Sequence, residues 1–130
     1  MAVGVRTRIK EGEKAKPTRF YSSKQERTVA RAVGGRTTPN SGATPWVKGD
    51  VLTKGANSFL IECKTKTTAA DSISIKKEWF EKNRQECLQN GTPHQAVVFN
   101  FGPDQENHYI IDEYLFSFLK EKLDELTETL

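Results

Sequence analysis

The sequence predicts an α/β fold: one domain in which a small mixed β-sheet is flanked by helices. Three observations point there. The runs "VL" at 51–52 and "FLIECK" at 59–64 flank a turn containing Gly55 and read as a β-hairpin. "HQAVVFNF" at 94–101 reads as a buried strand, and "HYIID" at 108–112 as another. Between and after these strands lie segments with helical apolar spacing and glycine stops. A chain of 130 residues is large enough for a single modest core.

Residues 1–21 are polar and basic, without apolar periodicity, and predict a flexible arm ahead of a domain spanning 22–130. "SSKQERTVARAVGG" predicts a short helix. Ser23 and Glu26 have capping-box spacing, and Gly34-Gly35 supplies the stop. "RTTPNSGATP" is a loop with a short edge strand at 36–38, and the hairpin follows. A helix then begins near Lys77 and ends at Asn90-Gly91, with Trp79, Phe80, Arg84, Cys87 and Leu88 along one side. The last helix begins after Asp112 and carries Leu115, Leu119, Leu123 and Leu126 at i, i+4, i+8 and i+11. No repeat and no low-complexity segment interrupts this order.

Charge is unevenly spread. Residues 1–40 hold ten Lys/Arg against three acids, whereas from Asp104 onward two lysines face eight acids. Such asymmetry suits an N-terminal side facing a polyanion and an outward-facing acidic tail; it equally suits a basic arm and a solvated terminal helix. No apolar run approaches the roughly 18 residues that span a bilayer, which predicts no membrane partner. Arg6, Arg8 and Lys10 are not followed by an apolar segment, so no signal peptide is expected and the predicted location is the cytoplasm. Cys63 and Cys87 provide neither a disulfide framework nor metal-ligand spacing, and His94 and His108 are isolated. A zinc site and a histidine-based nuclease motif are therefore not expected.

The hairpin "KGDVLTKGANSFLIECKTK" at 48–66 carries charge where a structural hairpin prefers apolar partners. A strand has a side-chain period of two, so Glu62 and Lys64 share one face while Ile61 and Cys63 share the other. A loop of three residues (55–57, with Asn57 left-handed) or of five (54–58) makes paired positions sum to 112. Asp50 then lies opposite Glu62, with Cβ atoms about 4.5–5.5 Å apart. A four-residue loop would break this arrangement. Facing carboxylates repel unless a proton or cation sits between them, and Mg²⁺ suits one or two carboxylates while keeping waters for phosphate oxygens to displace. Lys64 can hold a water nucleophile or neutralise charge developing on a phosphate. A solvated hairpin with one cross-strand ion pair, contributing under ~1 kcal/mol, is the plainer reading. It sits badly with Phe-Leu-Ile beside the charges.

"GD", eleven residues and then "ECK" resemble the Asp…Glu-x-Lys signature of PD-(D/E)XK nucleases, the restriction-endonuclease-like fold. The order of a helix-borne glutamate, a serine-containing loop, "KGD", "ECK" and "SISIKKEW" resembles small phage-encoded Holliday junction resolvases, over about residues 20 to 112. Gly49 stands where a proline often precedes the aspartate. The resemblance implies a restriction-endonuclease-like core with Asp50, Glu62 and the Cys63 carbonyl as metal ligands and Lys64 as the catalytic lysine. It places Glu26 at the metal-bound water and Ser41 near the scissile phosphate, although Pro-Asn-Ser-Gly is also ordinary turn chemistry. It implies Mg²⁺, replaceable by Mn²⁺, as cofactor and branched DNA, a four-way junction, as substrate. It also implies a homodimer that makes paired nicks leaving a 5′-phosphate and a 3′-hydroxyl, encoded by a phage and acting in a bacterial host.

Arg31, Arg36, Lys48, Lys76 and Lys77 are the candidate phosphate contacts, each equally readable as a solvated charge. Trp79 and Phe80 are expected in the core or a dimer interface, with Tyr109, Tyr114 and Phe116 as competing interface residues. Two other readings remain open on sequence: a nicking or restriction-like nuclease on linear duplex, and a nucleic-acid-binding module that keeps the fold without cutting.

Overall fold

The computed structural model describes residues 16–38 and 50–129, so Ser41 and Lys48 lie outside the described residues. Helix α1 spans Thr18–Val33. Its N-cap is Pro17, with φ −66° and ψ 155° and no side-chain cap. A proline ring fixes φ and lacks the N–H that a helix start would leave unpaired. The helix therefore begins five residues before Ser23, and Ser23 and Glu26 lie within it rather than forming a capping box. Residues 18–21, expected in the arm, are its first turn. The stop at Gly34 is as expected: φ is +69°, and the Gly34 and Gly35 amides both donate to the Ala30 carbonyl.

Five strands follow in the sheet order β1-β2-β3-β4-β5: β1 (Arg36–Thr37), β2 (Val51–Leu52), β3 (Phe59–Lys64), β4 (His94–Phe99) and β5 (His108–Ile110). Neighbours are antiparallel except β3 and β4, which are parallel and joined through helix α2 (Lys77–Asn90). The sheet is thus mixed, with one crossover. Val51 pairs with Ile61 and Leu52 with Leu60, the register that sums to 112. The Thr53 amide donates to the Phe59 carbonyl, which closes a five-residue loop. Its left-handed position is Gly55 (φ +94°) and not Asn57, because glycine adopts that backbone without steric cost.

Helix α1 packs on β1, β2 and β3, and α2 packs on β3 and β4. On the α1 side Val29 and Ala30 meet Val51, Ile61, Cys63, Ala96 and Val98 in the core. On the α2 side the buried set is more polar than its sequence pattern suggests. Asn83, Glu86 and Cys87 are buried, while Leu88 is 79% exposed and Arg84 faces solvent to pair with Asp112. The stripe turns because Asn83 reaches the sheet: its amide donates to the carbonyls of Leu60 (3.1 Å) and Ala96 (3.4 Å), linking β3 to β4 from above. Helix α3 (Glu113–Glu128) starts at Asp112 as expected, but only Leu115 on it is buried.

Asn83→Ala should lower the free energy of unfolding by about 1–3 kcal/mol, because it strips two buried carbonyls of a donor. Urea unfolding at constant slope is the measurement; an unchanged midpoint would show that water replaces the amide.

Candidate active site

The parts of the site are set by where β2 stops. Its ladder ends at Val51, while β3 runs on through Glu62, Cys63 and Lys64, paired there with β4. The β2 side of that stretch is occupied by Asp50. Its amide donates to the Ile61 carbonyl (3.1 Å), and its Oδ2 accepts from the Cys63 amide (2.8 Å). Within a strand the N–H and C=O of one residue point to the same side. The Cys63 carbonyl is therefore aimed at the Asp50 side as well. The Cys63 side chain is buried in the core with α1, and burial pushes its thiol well above the ordinary cysteine range.

Glu62 and Lys64 leave β3 on the opposite face, as a period of two requires. Lys64 Nζ lies 3.1 Å from Glu62 Oε2 and 4.8 Å from the centre of the Trp79 ring. Trp79 on α2 thus belongs to the site. Sequence reasoning assigned it to core or interface, and no signal local to residue 79 links it to a lysine fifteen positions away. Glu62, Lys64 and Trp79, with Glu78, Glu81, Lys82 and Gln85, line an open groove of about 430 Å³.

Glu26 reaches the same corner from α1, buried and 3.6 Å from Arg19. Burial raises its pKa, Arg19 opposes the rise, and the Glu62 charge adds to it. Asp50 is pushed up to about 7, first by burial, then by Glu62 and more weakly by Glu26, against the Cys63 hydrogen bond and Lys64. The three carboxylates therefore feel one another at short range. Gln25, beside Glu26, is a second residue that sequence reasoning missed. Its amide donates to the Lys64 carbonyl (2.7 Å) and to Asn107 (3.3 Å), tying α1 to the end of β3.

Four of the candidate phosphate contacts lie among the described residues, all of them exposed. Arg31 and Arg36 are exposed at the end of α1 and on edge strand β1, two strands from β3. Lys76 and Lys77 are exposed at the start of α2, where Lys77 pairs with Glu81 at 3.8 Å.

The donor set fits a hard divalent cation. Among the described residues no group of three His, Cys, Asp or Glu side chains is placed to hold a metal ion. Asp50, Glu62 and the Cys63 carbonyl would instead make an open, all-oxygen set of the kind Mg²⁺ shares with water. Mutual repulsion marks the corner as short of positive charge, and Lys64 supplies only part of it.

The arrangement is the restriction-endonuclease-like fold. A solved structure with this fold, described as Archaeoglobus fulgidus Hjc, a Holliday junction resolvase from an archaeal hyperthermophile, matches with a TM-score of 0.51 at 16% sequence identity, covering 72% of this chain and 74% of that one. No protein-family profile matches the sequence, and neither does any curated protein.

Without a divalent cation, Asp50→Asn should leave the melting temperature unchanged or raise it by about 2–4 °C, since it removes a buried charge repelled by two others. Millimolar Mn²⁺ should raise the melting temperature of the unaltered protein and not that of the variant. A substantial loss of stability without metal would show that the carboxylate is needed for the fold.

Proposed function

We propose that the protein is a Mg²⁺-dependent endonuclease that resolves four-way DNA junctions. The observation that carries this reading is the convergence of Asp50, Glu62 and Lys64 where β2 ends, with Glu26 arriving from α1. The fold shared with a solved Holliday junction resolvase supports the choice of substrate.

Asp50, Glu62 and the Cys63 carbonyl would hold the cation. When bound, Mg²⁺ supplies Lewis-acid polarisation of a phosphodiester oxygen. The chain's own groups do the rest. Lys64 presents a protonated amine beside Glu62, where it orients a water for in-line attack and offsets the negative charge that grows on the phosphate. The Trp79 ring beneath the amine makes a cation–π contact with it and limits its swing. Glu26, whose pKa burial raises, accepts a hydrogen bond from that water and takes up its proton. Gln25 holds the α1 glutamate and the β3 lysine in fixed relation through the Lys64 carbonyl.

Resolution needs two nicks in strands of like polarity, and one chain carries one such corner. A two-fold homodimer supplies two at a fixed separation and matches the symmetry of the junction. Arg31, Arg36, Lys76 and Lys77, with Lys48 and the basic first segment, provide the phosphate contacts, and Ser41 approaches the scissile phosphate.

Asp50→Asn, Glu62→Gln and Lys64→Ala should each slow junction cleavage at least ~100-fold, as for loss of a positioned catalytic group. Junction binding in Ca²⁺ should persist. Parallel loss of binding would make these residues structural. Four-way junction, linear duplex and single strand, each with and without Mg²⁺, separate the alternatives. Preference for the duplex would favour a restriction-like nuclease, and binding without cleavage a non-catalytic module.

Affinity should be largely electrostatic, so log K should fall steeply with log salt as counterions leave the neutralised phosphates. Residues 1–15 hold four Lys/Arg, and their deletion stops short of α1. It should flatten the slope by up to about 3 and leave the saturated rate unchanged. An unaltered slope would make this segment a bystander.

A further inference from the structure

The carboxyl ends of the two parallel strands open onto a cleft that the proposed chemistry does not use. Thr65 follows β3 and Asn100 follows β4, and both line it. Helix α1 forms one wall through Tyr21, Lys24 and Gln25, and the loop from 103 to 107 forms the other. Its volume is about 200 Å³. In open α/β sheets the crevice beyond the carboxyl ends of parallel strands is where ligands bind.

The lining is polar and nearly neutral. Four of its side chains are carboxamides: Gln25, Asn100, Gln105 and Asn107. Its two charged groups, Lys24 and Asp104, pair at 2.5 Å and join the two walls. A phosphate would find no unpaired cation there among the described residues. Carboxamides, with a donor and an acceptor side by side, match the edge of a nucleobase instead.

Hydrogen bonds within the cleft leave one such pair unspent. Gln25 is 4% exposed. Its Nε2 donates to the Lys64 carbonyl (2.7 Å) and to Asn107 Oδ1 (3.3 Å), but its Oε1 is buried with no protein partner. Asn107 Oδ1 also accepts from Asn100 Nδ2 (3.0 Å), so the oxygen of Asn107 is used twice and its Nδ2 remains. Asn100 is fixed in turn, because its Oδ1 accepts from the Thr65 hydroxyl (2.6 Å) and the Gly102 amide (3.2 Å). An acceptor and a donor thus stand on adjacent, immobilised side chains. A buried acceptor without a partner is costly to the fold.

Two features beside the cleft point to a nucleic-acid strand. Tyr21 brings an aromatic ring to the wall, in edge-on contact with Phe20, and such rings stack unpaired bases. Lys24, Arg27 and Arg31, all exposed, fall within about 60° of arc along about 10 Å of α1, opposite its buried face. Lys24 belongs both to this basic stripe and to the cleft. The stripe is a track for a phosphate backbone.

We infer that the cleft is a base-reading subsite, which takes one unstacked base of a DNA strand whose backbone follows α1. The inference rests on the nuclease reading proposed above. It adds a source of sequence preference, because Gln25 also holds the carbonyl of Lys64.

Four-way junctions with one abasic nucleotide, walked through the positions around the branch point, test this by binding in Ca²⁺. The unaltered protein should lose about tenfold in affinity at one position on each symmetry-related strand. Asn107→Asp keeps the oxygen to which Gln25 and Asn100 donate and removes only the spare N–H groups. In this variant and in Tyr21→Leu the abasic penalty should fall below about twofold; repulsion of phosphate by the added charge weakens intact and abasic junctions alike and cancels in the ratio. Arg27→Ala, on the backbone track, should weaken binding to both and keep the penalty. Unaltered circular dichroism shows that each variant is folded, and the walk with the unaltered protein needs no variant.

If no position exists at which a missing base matters, the inference is overturned and the orphan oxygen serves an ordered water. A penalty that survives both substitutions overturns it as well, since another part of the protein then reads the base. Addition of Mg²⁺ keeps the two readings apart. Base-dependent binding without cleavage leaves the subsite standing and removes the nuclease. Cleavage without base dependence does the reverse.

Discussion

The hydrogen bond from the Cys63 amide to the Asp50 carboxylate is the contact on which the site depends. A strand that loses its neighbour leaves backbone donors and acceptors facing an open edge, and these must be satisfied. Had β2 begun two residues earlier, the ladder would have consumed the Cys63 N–H and covered its carbonyl. Because β2 begins at Val51, one carboxylate satisfies the amide, and its second oxygen and the carbonyl stay available on the same side. Termination of pairing thus creates an oxygen-rich corner from an ordinary antiparallel hairpin.

That corner is costly to the folded chain. Three carboxylates within mutual influence, two of them raised in pKa by burial, oppose folding. The surrounding structure holds the arrangement rigid from both sides. On one side α1 is anchored to β3 by Gln25 and by the packing of Val29 against Ile61 and Cys63. On the other, α2 is anchored by Asn83 to the carbonyls of β3 and β4, one turn from Trp79 at the lysine. The two helices hold the acid and the lysine through different faces of one strand, so a shift in either would change the geometry between them.

How legible these features are in sequence follows from how local they are. The hairpin register, the pairing of Glu62 with Lys64 on one face and the helix stops at Gly34 and Gly91 depend on period, turn chemistry and nearest neighbours, and they can be read. The inward stripe of Glu26 and Val29 is readable too, since it follows from helical spacing alone. The start of α1 is missed because two N-terminal signals compete, and the rigid proline at 17 prevails over the serine at 23. Gln25, Asn83 and Trp79 are missed for a deeper reason. Each acts on a backbone or side-chain group that only the crossover and the sheet order bring near, and their sequence neighbourhoods resemble any polar helix.

The last helix shows the complementary limit. Four apolar residues at heptad spacing identify an amphipathic helix, but the pattern does not say whether the chain's own core or another surface covers it. Here the sheet is already covered by α1 and α2, and only the first turn of α3 meets the domain, with Leu115 buried and Tyr114 stacked on His94 of β4. Its acidic flanks contrast with the basic N-terminal third. In the proposed reading the basic part would attract a polyanion, and the acidic helix would keep its own apolar residues free of it. Opposite charges on one small domain would otherwise invite the two ends to neutralise each other. Pairing the lysines of α3 with their own helix's acids lowers that attraction locally.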